Sequence, residues 1–247
     1  MARITIHNAS VSYYLRNSAP SGRRLERGGF GGRLTTLGRY VEIEALRDIS
    51  LSLSDGDRVG LVGLNGSGKS TLLKLCAGAV AAKSGVIRIE GKVTPQFALS
   101  SGLRPKLTGR LNTELKCLYL GVPQRDIRQL VEEVKELCGL GGYFELPMHT
   151  YSAGMKSRLV ISLLRLVHGE ILLMDEWVTT VDASLNNRIG SVQKQLVERS
   201  KILLLASHSR RVLTGWVDKL IWMDQGRIVA FGPLNDVLPA YEAKLNS

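Results

Sequence analysis

The stretch Gly63-Leu64-Asn65-Gly66-Ser67-Gly68-Lys69-Ser70-Thr71 restricts what this chain can fold into more than any other part of it. It fits the pattern G-x-x-x-x-G-K-[ST]. A short apolar run, Arg58–Val62, precedes it, and a helical pattern follows from Lys69 through Leu72, Leu73 and Leu75 to Gly78. Strand, loop and helix form the context this pattern needs. The helix start points backbone N–H groups at phosphate oxygens, and the glycines let the backbone approach with no Cβ in the way. Glycine-rich turns are common, but the lysine, the hydroxyl and the two flanking elements together predict a nucleoside triphosphate site. In that site Gly63, Leu64, Asn65, Gly66, Ser67, Gly68 and Thr71 wrap the phosphates, Lys69 neutralises the β- and γ-phosphates, and Ser70 holds Mg²⁺.

Two further apolar runs set the fold class. Ile171–Met174 and Ile202–Ala206 are continuous rather than alternating, as expected of strands in the middle of a parallel sheet with helices on both faces. The expectation is therefore an α/β fold with a predominantly parallel sheet. Ligands in such sheets bind beyond the carboxyl ends of the strands. The first run ends in Asp175-Glu176, where Asp175 would hold Mg²⁺ through water and Glu176 would polarise the water that attacks the γ-phosphate. A strand that merely ends in an acidic turn is the plainer alternative. Ile4–Tyr14 and the alternating stretch from Val41 to Leu53, the turn Asp55-Gly56-Asp57, and a β region over Gly85–Ala98 turning at Gly91 add further sheet elements. Lys219–Met223 and Ile228–Phe231 flank Asp224-Gln225-Gly226-Arg227 as a closing hairpin. From Thr108 to about Arg165 the pattern is helical, with glycines at Gly139, Gly141 and Gly142 ending one segment. Within it, Ser152 precedes the apolar face Leu159, Val160, Leu163 and Leu164. It is an ordinary N-cap, or, with Gly154, an anion site for a γ-phosphate held by a second copy of the chain.

Length and composition bound the rest. At 247 residues the chain can bury about 70–75% of the surface its unfolded form exposes, so neither disulfide nor metal is needed to hold it together. No apolar stretch approaches the ~20 residues of a spanning helix, and Met1–Ile6 lacks the order of a signal peptide. Cys76, Cys117 and Cys138 show no metal-ligand spacing and read as reduced thiols. A net charge of +11 calls for an acidic partner: nucleotide, nucleic acid or an anionic membrane surface. Much of that charge sits in a basic insertion over 15–40, where Arg16, Arg23, Arg24, Arg27, Arg33 and Arg39 face only Glu26. This is either a solvated loop or an excursion in which Arg23, Arg24 and Arg27 meet phosphate at the membrane surface.

The order of these motifs carries a resemblance. The lysine loop, then Tyr151-Ser152-Ala153-Gly154-Met155, Asp175-Glu176, Asp182 and Ala206-Ser207-His208 is similar to the nucleotide-binding domains of ABC transporters over nearly the whole chain. Leu107-Thr108-Gly109-Arg110, the Tyr151–Met155 wording with Arg158-Leu159, and the Arg-rich segment resemble the ATPase subunits of polysaccharide exporters that move O-antigen, capsule or teichoic acid chains. The resemblance implies a P-loop NTPase core, an antiparallel β subdomain and a helical signature subdomain over about 99–166, all within one domain. It implies that Tyr13 stacks on adenine, with Tyr14 the fallback, and that His208 contacts the γ-phosphate. Ser152, Gly154 and Asp182 would act across a head-to-tail homodimer around two MgATP, with a separate polytopic membrane subunit, at the cytoplasmic face of the bacterial inner membrane. Relatives carry a glutamine between the second β region and the helical part. Here Ser100 and Ser101 stand at the expected place, and Gln96 comes several residues earlier. The signature also has Ala153 and Met155 where other ABC proteins have Gly and Gln. About a dozen residues follow Asn235, too few for a carbohydrate-recognition domain. Rival readings are an ABC ATPase subunit for another cargo and a nucleic-acid-associated ABC ATPase. The second usually carries two cassettes or a coiled-coil insertion, and neither is visible here.

Overall fold

Two long strands made of alternating apolar residues organise the amino-terminal part. Strand β1 (Arg3–Arg16) pairs antiparallel with β3 (Tyr40–Ser54), flanked by β2 (Arg33–Leu37) and β5 (Ser84–Glu90) in the order β2-β3-β1-β5. The computed structural model describes residues 1–16, 33–37, 39–96, 102–166, 169–175 and 194–245. The buried positions change parity midway along both long strands: Ile4 and Ile6 give way to Ala9 and Val11, and Leu46 gives way to Ile49, Leu51 and Leu53. A one-residue slip would turn every later side chain to solvent. The slip is absorbed at Asn8 (φ 46°) and Asp48 (φ 49°), where irregular pairing lets each strand keep one face on the core.

The second sheet runs β10-β9-β4-β8-β7-β6. Its members are β4 (Arg58–Val62), β6 (Val93–Gln96), β7 (Ile171–Asp175), β8 (Ile202–Ala206), β9 (Lys219–Asp224) and β10 (Arg227–Pro233). β9, β4, β8 and β7 are mutually parallel, and β10 returns antiparallel on β9 as the closing hairpin. Every residue of β8 is buried, as are the first four of β7, which matches their unbroken apolar runs. Helix α1 (Lys69–Cys76) packs its buried Leu72, Leu73, Leu75 and Cys76 against this sheet.

The β region over 85–98 turns at Gly91 (φ 107°) as expected, and the turn parts its halves: β5 joins β1 while β6 joins β7 in the other sheet; residues 97 and 98 lie outside the described residues. One expectation is corrected: the basic insertion is not a loop throughout. Leu15 and Arg16 continue β1 against Val41 and Tyr40, and Arg33–Leu37 add β2 to the same sheet. Arg23, Arg24 and Arg27 lie outside the described residues.

Among the described residues the chain divides into two compact units, one within Met1–Pro95, Glu170–Trp177 and Lys201–Ser247, the other within Gln96–Gly169 and Val178–Ser200. The second unit is built on α2 (Gly109–Tyr119), α3 (Gln124–Cys138) and α4 (Ala153–Ser162), with 3₁₀ turns at Gly141–Glu145, Met148–Thr150 and Leu163–Leu166. Gly139 ends α3 in the left-handed conformation (φ 62°). Its core gathers Cys117, Val131, Val134, Cys138, Phe144, Leu159 and Leu163. The first unit closes with α5 (Arg210–Trp216) and α6 (Leu234–Leu245). No helix among the described residues is long and apolar enough to cross a membrane.

Candidate functional site

Parallel pairing brings the chemistry-bearing strand ends to one level. Asp175 of β7 is in register with Ala206 of β8, and Ala206 is in register with Leu61 of β4. Two residues beyond Leu61 the glycine-rich loop begins, and two beyond Ala206 lies His208. The loop, Asp175 and His208 therefore share the carboxyl edge of one sheet, where an open α/β sheet takes its ligand. Ser207 is buried and its Oγ accepts from Ser209 N at 3.1 Å, leaving His208 exposed on a tight corner before α5.

The loop is held from behind at several points. Gly63 (φ 148°) lies so close to β9 that a Cβ would sit 2.2 Å from the Met223 carbonyl and 2.6 Å from Ser67 Oγ. Gly68 (φ 107°) leaves a Cβ no room against the Ala45 carbonyl and Leu46 of β3, both 2.9 Å away. The β9–β10 turn, with Gln225 and Gly226 both at positive φ, donates Gly226 N to the Ser67 carbonyl at 2.9 Å. That turn is itself anchored on β3: Arg47 N donates to the Gly226 carbonyl at 2.8 Å and Arg47 Nε to the Gln225 carbonyl at 3.0 Å. Leu64, Asn65 and Gly66 remain exposed at the rim.

The side chains inside this cradle are poised for an anion. Lys69 is only 8% exposed, and its Nζ donates to the Gly63 carbonyl at 2.7 Å and the Leu64 carbonyl at 3.1 Å. Ser67 Oγ is buried without a hydrogen-bond partner, an expensive arrangement unless an acceptor arrives. Helix α1 starts here with no acidic residue in its first turn, so its positive end is uncompensated by a carboxylate. Ser70 is exposed and Asp175 half-buried. A hydroxyl and a carboxylate suit Mg²⁺, which usually takes one or two protein oxygens and completes its shell with phosphate and water.

Tyr13 and Tyr14 fall on opposite faces of β1. The Tyr14 hydroxyl donates to Glu42 at 3.1 Å, and the Glu42 carboxyl is held below its usual range, chiefly by its hydrogen bond from Lys83. Tyr13 pairs in register with Ile43 and is half-buried. Leu46, which backs Gly68, is opposite Val11, so Tyr13 lies about 7 Å further along the strand.

In the other unit Ser152 caps α4, its Oγ accepting from Met155 N at 3.2 Å, and both Ser152 and Gly154 are exposed. Sequence reasoning missed what supports this turn. The Tyr151 hydroxyl donates to the Tyr143 carbonyl at 2.7 Å and would sit 2.6 Å from any Cβ on Gly109. Thr108 Oγ1 caps α2 at Leu111 N, and Arg110 grips Glu145 and Glu132 while lying 5.6 Å over the Phe144 ring. Buried Asn112 accepts from Arg104 N at 2.7 Å and donates to the Arg104, Leu107 and Thr108 carbonyls. The Leu107–Arg110 motif is thus the packing partner of Tyr151; an asparagine inside an amphipathic helix was the signal available for this clasp. Gln96 is the last residue of β6. That strand runs in the same sense as β7, because Glu170 N and Ile171 N both donate to the Lys92 carbonyl where the two strands begin. Glu176, Asp182, Ser100 and Ser101 lie outside the described residues.

Residues 46–179 match the family model described as ABC transporter. The chain belongs to the ABC transporter family. It is 36% identical over 231 residues to the O-antigen export system ATP-binding protein RfbE of Yersinia enterocolitica, a match covering 92% of this chain and 97% of that protein. It is 35% identical over 198 residues to the teichoic acids export ATP-binding protein TagH of Lactococcus lactis subsp. lactis, covering 80% of this chain but only 42% of that longer protein. Among solved structures, a dimeric post-hydrolysis state of the ATP-binding cassette MJ0796 bound to ADP and Pi superposes with a TM-score of 0.67 at 19% identity, over 94% of this chain and 98% of that one. An ATP-binding subunit of an ABC transporter gives the same TM-score and identity over 99% of both chains. The ABC fold is therefore shared throughout.

Proposed function

We propose that this ABC chain is the ATP-binding and hydrolysing subunit that powers export of a lipid-linked polysaccharide, an O-antigen, teichoic acid or similar chain, from the cytoplasmic face of a bacterial inner membrane. The observation that carries the reading is the cradle at 63–71, with Lys69 parked on two loop carbonyls and Ser67 Oγ buried without a partner. The cargo rests on the kinship with RfbE and TagH, each named for export of such a polymer.

In this reading ATP enters along the carboxyl edge of the sheet, with adenine on Tyr13 and the triphosphate in the loop. Lys69 leaves the Gly63 and Leu64 carbonyls for the β- and γ-phosphates, and the start of α1 offers its N–H groups. Ser70 and Asp175 hold Mg²⁺, which supplies positive charge against the phosphates. Glu176 takes a proton from the water that attacks the γ-phosphorus, and the bond to the bridging oxygen breaks to release ADP. His208 orients that water from the neighbouring strand end. Ser152, Gly154 and Asp182 of a second copy complete each site, so closure and reopening of the homodimer move a separate membrane subunit.

The test is hydrolysis by the full chain assembled with its membrane subunit. Lys69→Ala should abolish MgATP binding. Glu176→Gln should retain binding, lose turnover and trap a nucleotide-bound dimer, and cells carrying His208→Ala should accumulate an unexported lipid-linked glycan. Full turnover by the Glu176 variant would remove it as the base, and wild-type affinity in the Lys69 variant would remove the site.

A further inference from the structure

The hairpin turn behind the phosphate loop is held in a conformation its sequence does not favour. Gln225 and Gly226 join β9 to β10, with Asp224 opposite Arg227, and both turn residues have positive φ, 43° and 79°. A two-residue hairpin loop takes this form most readily with Asn-Gly or Asp-Gly, because longer side chains are strained in the left-handed region. An external hold offsets that strain at Gln225. It comes from half-buried Arg47 of β3, whose Nε donates to the Gln225 carbonyl at 3.0 Å and whose Nη2 donates to the same oxygen. The Arg47 backbone N–H adds a bond to the Gly226 carbonyl at 2.8 Å, and Gly226 lies so near β3 that a Cβ on it would stand 2.7 Å from the Ala45 carbonyl oxygen.

These contacts continue into the phosphate loop. The Gln225 carbonyl and the Gly226 N–H belong to one planar trans peptide group, so the two point in opposite directions. Arg47 grips the oxygen end, and the N–H end donates to the Ser67 carbonyl at 2.9 Å. That carbonyl in turn shares a peptide group with the Gly68 N–H, which is thereby directed away from the hairpin, to the side where α1 begins. Two rigid peptide groups in series thus connect a guanidinium to a backbone donor at the helix start. Each hydrogen bond in such a chain polarises the next, and a cation at its head draws both dipoles the same way, leaving the last N–H more positive.

We propose that Arg47 is a positioning residue for nucleotide binding: its guanidinium orients and polarises the Gln225–Gly226 and Ser67–Gly68 peptide groups, so that the Gly68 N–H is set toward the triphosphate before it arrives. This rests on the reading of 63–71 as a triphosphate site. Arg47 lies behind the hairpin and acts on the nucleotide through these peptide groups, so its effect falls on binding and not on the bond that breaks. The neighbouring ion pair, Arg227 Nη2 to Asp48 Oδ2 at 2.9 Å, ties the same strand to the same hairpin. It is exposed and touches neither peptide group, so it serves as the control.

The experiment measures MgATP affinity by titration calorimetry, and KM and kcat of hydrolysis, on the full chain carrying Arg47→Met, Arg47→Lys, Asp48→Asn or Lys69→Ala. The amide proton signals of Gly226 and Gly68 are followed by NMR in the MgADP-bound chain. Arg47→Met keeps most of the stem and the backbone bond to Gly226 but removes both guanidinium bonds. The binding-competent fraction of the loop should fall, raising Kd and KM about 3- to 10-fold, with turnover at saturating ATP at the wild-type level. Both amide protons should move upfield, and Arg47→Lys, which keeps the charge and a donor but loses the fork, should recover part of each change. Asp48→Asn should match wild type throughout. An Arg47→Met enzyme with unchanged KM, or with lowered kcat at unchanged KM, overturns the proposal. So does a Lys variant no better than the Met variant, a shift at Gly226 with none at Gly68, or an Asp48→Asn enzyme whose KM rises as much, since the effect would then be general loosening of the hairpin. Should Arg47→Met fail to fold, Arg47→Gln takes its place with the same expected outcomes. If wild type binds no MgATP, or Lys69→Ala binds it normally, the triphosphate site itself falls and takes this proposal with it. A binding wild type with an indifferent Met variant refutes Arg47 only.

Discussion

Replacing Gly63 by alanine separates two costs that glycine normally hides together, provided Gly56→Ala is measured beside it. Both residues have positive φ, 148° and 95°, so both substitutions carry the backbone penalty of an L side chain in that region, about 1–2 kcal/mol. They differ in their surroundings. A Cβ at Gly56 meets nothing within 4 Å, whereas at Gly63 it falls 2.2 Å from the Met223 carbonyl carbon's oxygen, an atom of the backbone of β9 that cannot turn aside. Overpacking of that kind adds about 1–3 kcal/mol, so Gly63→Ala should cost about 2–5 kcal/mol in all. For a chain of this size that is a fall in thermal midpoint of about 4–20 °C, against about 2–8 °C for Gly56→Ala. Urea melts followed by circular dichroism give the stability difference, and MgATP titration of the same samples gives the affinity. Gly63→Ala should lose measurable affinity at temperatures where it is still folded, because relief of the clash pushes the loop root away from β9 and Lys69 with it. Gly56→Ala should bind as wild type. Equal destabilisation by the two variants would refute the close approach to Met223, and normal affinity in a folded Gly63→Ala would show that the loop root does not set the phosphate site.

Other outcomes follow from the same contacts. Asn112→Ala should destabilise the chain by about 2–3 kcal/mol, because it strips a buried clasp from Arg104 N and three carbonyls, and Asn112→Asp should be worse because it turns an acceptor toward those carbonyls; urea midpoints check both. The Glu145 carboxyl is held down to about 2, first by its hydrogen bonds from Arg110, so its contribution is present above the usual carboxylate range and is lost as pH falls from about 4.5 toward 2. Glu145 is largely exposed, so the effect is small, and Glu145→Gln should flatten the urea midpoint between pH 5 and pH 3 relative to wild type. All three cysteines are buried, with the Cys76 thiol pushed up to about 12 and Cys117 to about 11 by burial, so a thiol reagent should label none of them quickly in the folded chain and all three in urea.

What the sequence revealed follows from which interactions are local. The lysine loop, the two unbroken apolar strands and the Asp224–Arg227 hairpin are each written in consecutive residues, and each appears where its pattern puts it. The partition of strands between sheets is not local. Residues 84–96 look like one β region because both halves have strand-forming side chains, and only the choice of partner, β1 for one and β7 for the other, sends them apart at Gly91. The parity changes at Asn8 and Asp48 sit between these cases. They are visible in the spacing of Ile6 and Ala9 and of Leu46 and Ile49, yet without a partner strand they look like noise in an alternation. The same division runs through the site. Lys69, Ser70 and Asp175 belong to short motifs, whereas the groups that hold the loop in shape come from far along the chain: Met223 and Gly226 beneath it, Ala45 and Leu46 beside it. A motif can name the atoms that meet phosphate, but the stiffness that makes those atoms bind before a ligand has arranged them is supplied by contacts spanning up to 178 residues, as between Arg47 and Gln225. Preorganisation is therefore the part of this site that a motif leaves out, and it is where substitutions outside any motif should be felt first.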